Sequence, residues 1–131
     1  MKNLQTFEEF LNEQNINETI KVTGKHIKLR AKVEEILKTK LEPVYSTLED
    51  PTKSHWSGSY ISYAFSDIKG LTLNIHSVGF VNFTYNDLYI ETGLDKSKIN
   101  IKTTEDEDAV MIKYLKPEIL PLIIKHVKEK L

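Results

Sequence analysis

From Leu71 to Tyr85 the chain reads L-T-L-N-I-H-S-V-G-F-V-N-F-T-Y. Leu71, Leu73 and Ile75 alternate with Thr72, Asn74 and His76, and Val81, Phe83 and Tyr85 alternate with Phe80, Asn82 and Thr84. A period of two is the mark of a half-buried strand. If Ser77-Val78-Gly79 closes a hairpin with Gly79 at positive φ, Ile75 faces Val81, Leu73 faces Phe83 and Leu71 faces Tyr85. The opposite face then pairs His76 with Phe80, Asn74 with Asn82 and Thr72 with Thr84. A slip of one residue would exchange the two faces, so the apolar pattern specifies the register.

The same face extends in both directions. Upstream, Ser59 to Phe65 alternates, and a turn around Asp67 pairs Phe65 with Leu71, Tyr63 with Leu73 and Ile61 with Ile75. Downstream, two readings fit. Asn86-Asp87 makes a second tight turn that puts Leu88 and Ile90 on the apolar face, or Asn86 caps a helical turn ending at Gly93. Lys98 to Thr103 reads as another strand, with Ile99 and Ile101 inward. Thr104 and Glu107 have capping-box spacing. Ala109 to Leu115 fits either a helix or a returning strand.

Helical patterns flank the strands. Leu29, Val33, Ile36, Leu37, Leu41 and Tyr45 share one helical face, with Thr23 as a cap, a Glu34–Lys38 pair, and Pro43 as a kink or restart. Glu49 to Ser59 is a loop. At the other end, Ile119, Leu122, Ile123, Val127 and Leu131 form an apolar stripe. There Pro117 suits the first helical turn, or the helix begins at Pro121. The fold class is α+β: an antiparallel meander of about four or five strands, with two or three amphipathic helices packed on one face.

Composition removes several functional classes. The chain has 131 residues, no cysteine and a formal net charge of −1. Disulfides, thiolate metal sites and cysteine nucleophiles are therefore excluded, and nothing pulls the whole molecule toward polyanions. No apolar run is long enough to span a membrane. No phosphate loop or dinucleotide fingerprint is present, and no His-x-x-x-His pair, so no cofactor and no metal is expected. Residues 15–131 read as a single domain, preceded by an amphipathic segment over residues 1–14.

The candidate chemistry is sparse. His76 falls on the polar strand face with Asn74, Asn82 and Ser62 nearby, and it is the one weak catalytic candidate. A general acid–base role would need an oriented partner and a pocket. Tyr60, Asn74, His76, Phe80 and Asn82 on that face, with Trp56 in the adjoining loop, form a candidate binding surface in which Trp56 is an anchor. The His55-Trp56-Ser57-Gly58-Ser59 run lacks the Gly-x-Ser-x-Gly elbow of a serine hydrolase. Glu105 to Asp108 lacks the alternation and glycine of a calcium loop, and reads as a solvated turn or an acidic helix start. Lys25, Lys28 and Lys32 make a basic stripe on the helix over residues 25–40, a candidate for phosphate contacts.

The first residues, M-K-N-L-Q-T-F-E-E-F-L-N-E, pair Thr6 with Glu9 at capping-box spacing and put Leu4, Phe7, Phe10 and Leu11 on one face. This segment resembles the capsid-targeting peptides of internal head proteins of large tailed bacteriophages. Those peptides run through an aromatic-x-Glu-Phe-aliphatic pattern and end in glutamate; here Phe7, Glu9, Phe10, Leu11 and Glu13 match. The resemblance implies that Leu11 and Glu13 are processing positions, with cleavage after Glu13. It also implies a small phage-encoded protein, packaged in the virion or directed at the host cytoplasm. Such a protein would act by binding a protein partner, as an inhibitor of a host enzyme or defence system. Two alternatives stand beside this reading: a nucleic-acid-binding protein using the basic helix, and a small hydrolase or transferase using His76 on an open sheet face. The missing catalytic motifs favour a binder over an enzyme.

Overall fold

The computed structural model describes residues 20–48, 52, 58–94 and 99–129. Helix α1 (Lys25–Leu37) leads into strands β1 (Glu42–Ser46), β2 (Tyr60–Phe65), β3 (Ile68–His76), β4 (Phe80–Tyr85), β5 (Leu88–Glu91), β6 (Lys102–Thr104) and β7 (Val110–Met111). A 3-10 turn (Ile112–Tyr114) and helix α2 (Ile119–Glu129) follow. The strands form one seven-stranded sheet in the order β1-β2-β3-β4-β5-β6, with β7 also on β4. Every pairing is antiparallel.

The central hairpin has the register that its alternation predicts: Leu71 opposite Tyr85, Leu73 opposite Phe83, Ile75 opposite Val81, with Thr72–Thr84 and Asn74–Asn82 on the other face. Gly79 turns at φ 97, and its N–H donates to the His76 carbonyl at 2.9 Å. Tyr63–Leu73 and Ile61–Ile75 also pair as expected, but Phe65 lies opposite Ile68 instead of Leu71. The two-residue turn at Ser66 and Asp67 brings Ile68 up early, and a bulge then absorbs the extra residues before Leu71. Gly70 sits in that bulge at φ 93, a conformation that costs glycine least.

Of the two readings after Tyr85, the tight turn is the one formed. Asn86 and Asp87 both take positive φ, 50 and 70, as a type I′ hairpin turn requires. Ile90 is buried, whereas Leu88, expected inward, lies at the hairpin tip opposite Tyr85 and is 40% exposed.

The first helix is shorter than its pattern predicts. Lys38 turns left-handed (φ 57) and ends it, and residues 42–46 form an edge strand instead of carrying the helix on to Tyr45. Pro43 explains this, because the residue before a proline is driven out of helical geometry. The turn is held by α1 itself. Arg30 Nη2 donates to the Leu41 carbonyl at 2.6 Å, and the Leu41 N–H donates to Glu34 Oε2 at 2.9 Å. Leu41 remains fully buried, reached from a loop instead of a helix. Thr23 does not cap; Gly24 occupies the cap position without a side-chain bond.

Near the other end, residues 109–115 combine a two-residue returning strand with a 3-10 turn. The expected capping box at Thr104 nucleates no helix, and the Thr104 hydroxyl instead accepts from the Asp106 N–H at 3.2 Å. In α2, Leu120 takes the inward position expected of Leu122, which is 40% exposed. The stripe of Ile119, Ile123 and Val127 is centred on the Leu120 side. Pro121 falls in the first turn of α2, where a missing N–H costs nothing.

Both helices cover the same sheet face. Val33 and Leu37 of α1, and Ile119, Leu120, Ile123 and Val127 of α2, join Ile61, Tyr63, Leu71, Leu73, Ile75, Val81, Phe83 and Ile90 in one core cluster. Two helix histidines tie the helices to the rest of the chain: His26 Nε2 meets Ser59 Oγ at 3.1 Å, and His126 Nε2 meets Thr103 Oγ1 at 2.9 Å. Among the described residues no helix is long and apolar enough to cross a membrane.

Candidate functional site

The face that the helices leave uncovered carries the polar half of the alternation. Period two puts Ser62 of β2, Asn74 of β3 and Asn82 of β4 side by side across three strands. Their side chains form a ladder. Ser62 Oγ donates to Asn74 Oδ1, Asn74 Nδ2 donates to Asn82 Oδ1, and Asn82 Nδ2 reaches both His76 Nε2 at 3.3 Å and Glu107 Oε2 at 3.0 Å. An amide nitrogen only donates, so His76 Nε2 is the acceptor in this contact. His76 and Glu107 make further interactions besides these.

A fork in the sheet builds the far wall. The outer edge of β4 pairs with β5 through Phe83, Thr84 and Tyr85, then with β7 through Phe80 and Val81. Asn82 sits at the junction. The segment from β6 to β7 crosses there, and its acidic residues hold it: Glu107 takes the Asn82 amide, and the Thr92 N–H donates to Asp108 Oδ2 at 3.4 Å. This crossing explains why Asn82 is only 3% exposed although it lies on the polar face. On the near side the Tyr60 ring covers His76, with centroids 5.1 Å apart, and Tyr45 lies 5.9 Å from Tyr60. The expected open polar face is therefore closed over its centre.

Among the described residues, Tyr60, Ser62, Asn74, His76, Asn82, Tyr89 and Glu107 line a cleft of about 110 Å³ on this face. Burial raises the Tyr60 phenol above its ordinary pKa, and Tyr45, Tyr89 and Glu107 push it further in the same direction. It is a neutral hydroxyl at physiological pH.

The sequence-derived site residues separate in the fold. Tyr60, Asn74, His76 and Asn82 converge on the cleft. Phe80 lies on the same strand face, beyond Asn82 and opposite Met111, outside the cleft lining. Trp56, Leu11 and Glu13 lie outside the described residues. Lys25, Lys28 and Lys32 are all exposed on α1, which packs on the other side of the sheet. The basic stripe and the outer-face aromatics therefore do not share a surface. Among the described residues no group of acidic residues and histidines is placed to hold a metal.

Two cleft residues were not part of the expected site. Tyr89 enters because the Asn86–Asp87 turn makes β5 a strand. Glu107 enters because β7 returns to β4, a pairing whose only sequence trace is the short apolar run at Val110 and Met111.

The arrangement constrains the chemistry. Ser62 Oγ gives its proton to an amide oxygen, not to a base, so it is not an activated nucleophile. His76 Nε2 is engaged by the Asn82 amide nitrogen, and Glu107 Oε2 accepts from the same nitrogen. No protein family, curated protein or solved structure matches this chain.

Proposed function

We propose that this protein acts by binding a protein partner through the outer face of its sheet, with the cleft around Asn82 as the recognition point. The observation that carries this reading is the Ser62–Asn74–Asn82 ladder ending on His76 and Glu107. It fixes polar groups from β2, β3, β4 and the 105–108 segment in one geometry, and preorganisation of this kind lowers the ordering cost of association. The same bonds occupy the groups that catalysis would need. Its test is a photo-crosslinking residue placed at Ala64, on the cleft side, and in a separate variant at Lys32, on the helix side. Cross-linking in cells to a discrete protein from position 64 and not from 32 is the expected result. Labelling from 32 alone moves the partner to the helical side.

The amino-terminal resemblance supports a setting for this activity: a phage-encoded head protein that reaches the host cytoplasm and inhibits an enzyme or defence system there. Mass spectrometry of purified virions tests that setting. It expects the chain beginning at Gln14; absence from the particle, or an intact Met1 end alone, removes the packaging claim.

A further inference from the structure

We infer that the amphipathic segment over residues 4–13 docks along the outward face of α2, setting its apolar stripe on Pro121 and Ile124 and its glutamates toward Lys125 and Lys128. The inference is independent of the outer-face reading. It assigns a place to the segment that carries the phage resemblance, which lies outside the described residues.

Helix α2 has two apolar faces, and the core claims one. Ile119, Leu120, Ile123 and Val127 are buried there. Pro121, Ile124, Lys125, Lys128 and Glu129 recur at the spacing of a second helical stripe and line a shallow depression of about 610 Å³. All five belong to α2 itself, so among the described residues no second element walls it. At Lys128 this depression meets another of about 600 Å³, where Ile68 and Tyr85 add apolar surface and Lys69 adds a cation. Other exposed apolar side chains, Val78 and Leu88 among them, stand singly at hairpin turns.

The segment has the complementary chemistry. Leu4, Phe7, Phe10 and Leu11 share one helical face, and a helix of this length needs a surface to persist in water. From Leu4 to Leu11 such a helix rises about 10 Å, close to the rise of about 12 Å from Pro121 to Glu129. Between Leu4 and Glu13 the charged residues are Glu8, Glu9 and Glu13, with no cation. Around the groove the exposed Lys69, Lys125 and Lys128 outnumber Asp67 and Glu129. An acidic amphipathic helix laid in a lysine-rimmed apolar groove matches in both shape and charge. The α2 face of a second copy would instead bring lysine against lysine.

Reach permits the contact. Ile20 and Val22 pack against the core cluster, on the side of the sheet that α2 covers. The chain from Glu13 to Ile20 spans up to about 24 Å when extended, and a domain of this size has a radius of gyration of about 14 Å.

The test is paramagnetic relaxation in the full chain. The protein has no cysteine, so Gln5→Cys, opposite the apolar stripe, takes a nitroxide at a single site. The expected result is loss of the backbone amide signals of residues 124, 125 and 128, recovered on reducing the nitroxide. Signals of Val78 and Gly79, at the far end of β3, should stay intact. Adding Phe7→Asp and Phe10→Asp to the labelled chain should restore the α2 signals. Lys125→Glu with Lys128→Glu, at exposed positions clear of the core, should restore them too. Glu8→Lys with Glu13→Lys in that background should bring the loss back. No loss anywhere, loss centred on Asn74 and Asn82 of the outer face, or loss indifferent to either pair of disruptive substitutions overturns the inference. So does loss in an isotope-labelled copy without nitroxide mixed with the nitroxide-bearing chain, which assigns the contact to a second copy. Docking requires neither packaging nor cleavage, so virions that lack the protein leave the inference standing, and a groove without the segment leaves the packaging claim to its own test.

Discussion

Tyr63 is fully buried, and its hydroxyl has no hydrogen-bond partner. Burial pushes its pKa up to about 12 against the opposing pull of Arg30, whose guanidinium lies 5.7 Å from the ring centroid. A buried, unpaired hydroxyl costs roughly 1–3 kcal/mol of desolvation, so Tyr63→Phe should hold or raise stability by about 1 kcal/mol. The urea midpoint reads this directly, and a clear fall would mean that the hydroxyl is satisfied in solution. His26 is the opposite case, a buried base with one ring nitrogen bonded to Ser59 and the other unpartnered. Burial, then Lys25, lowers its pKa from 6.5. The unfolded chain therefore takes up a proton at this residue before the folded one does. Stability falls as pH drops below 6.5, and this contribution levels off below the folded-state value. Thermal midpoints recorded from about pH 7.5 down to about pH 5 should show that slope in the native protein and a shallower one in His26→Gln.

At the scale of the hairpins, two positions carry the order of the sheet. Gly70 combines φ 93 with a neighbour in the way: a Cβ there would stand 2.7 Å from Asn86 Oδ1 and 3.3 Å from the Tyr85 ring. Gly70→Ala should cost about 2 kcal/mol through backbone strain and displacement of the adjoining turn, measurable by chemical denaturation. Asn82 is the joint of the polar ladder. Asn82→Ala leaves Asn74 and His76 short of a partner, at roughly 1–3 kcal/mol. Asn82→Asp should cost more at neutral pH, because it sets a carboxylate against Glu107 where a donor stood at 3.0 Å. Acidification should narrow the gap between the two variants; an aspartate variant as stable as the wild type would remove Glu107 from the ladder.

Over the whole molecule, the sheet divides two surfaces. Helices and the lysine stripe occupy one side; the aromatic-flanked cleft occupies the other. Cooperative nucleic-acid binding of the kind that joins a basic track to stacking side chains is therefore not expected. Single-stranded DNA should bind only at low salt, with an affinity that Tyr60→Ala and Tyr89→Ala leave unchanged and that Lys25, Lys28 and Lys32→Glu abolishes. Fluorescence anisotropy across a salt series reads both. A loss of DNA affinity in the tyrosine variants would show that nucleic acid contacts the outer face.

The sequence by itself determined the middle of this protein. From Ile61 to Tyr85, alternation specifies which side chains meet, because a strand's period of two lets one slip expose the entire core face. The same alternation placed Ser62, Asn74, His76 and Asn82 together. Local pattern failed where a distant contact overruled it. Leu41 and Tyr45 continue a helical stripe, yet Pro43 and the Arg30–Glu34 clasp on Leu41 turn the chain into an edge strand. Thr104 and Glu107 have the spacing of a helix start, yet the return of β7 to β4 spends Glu107 on Asn82. Only the tertiary structure could decide that a polar strand face becomes a closed cleft. The residues that close it come from beyond the central strands, and their arrival depends on chain pairings that short-range periodicity does not encode.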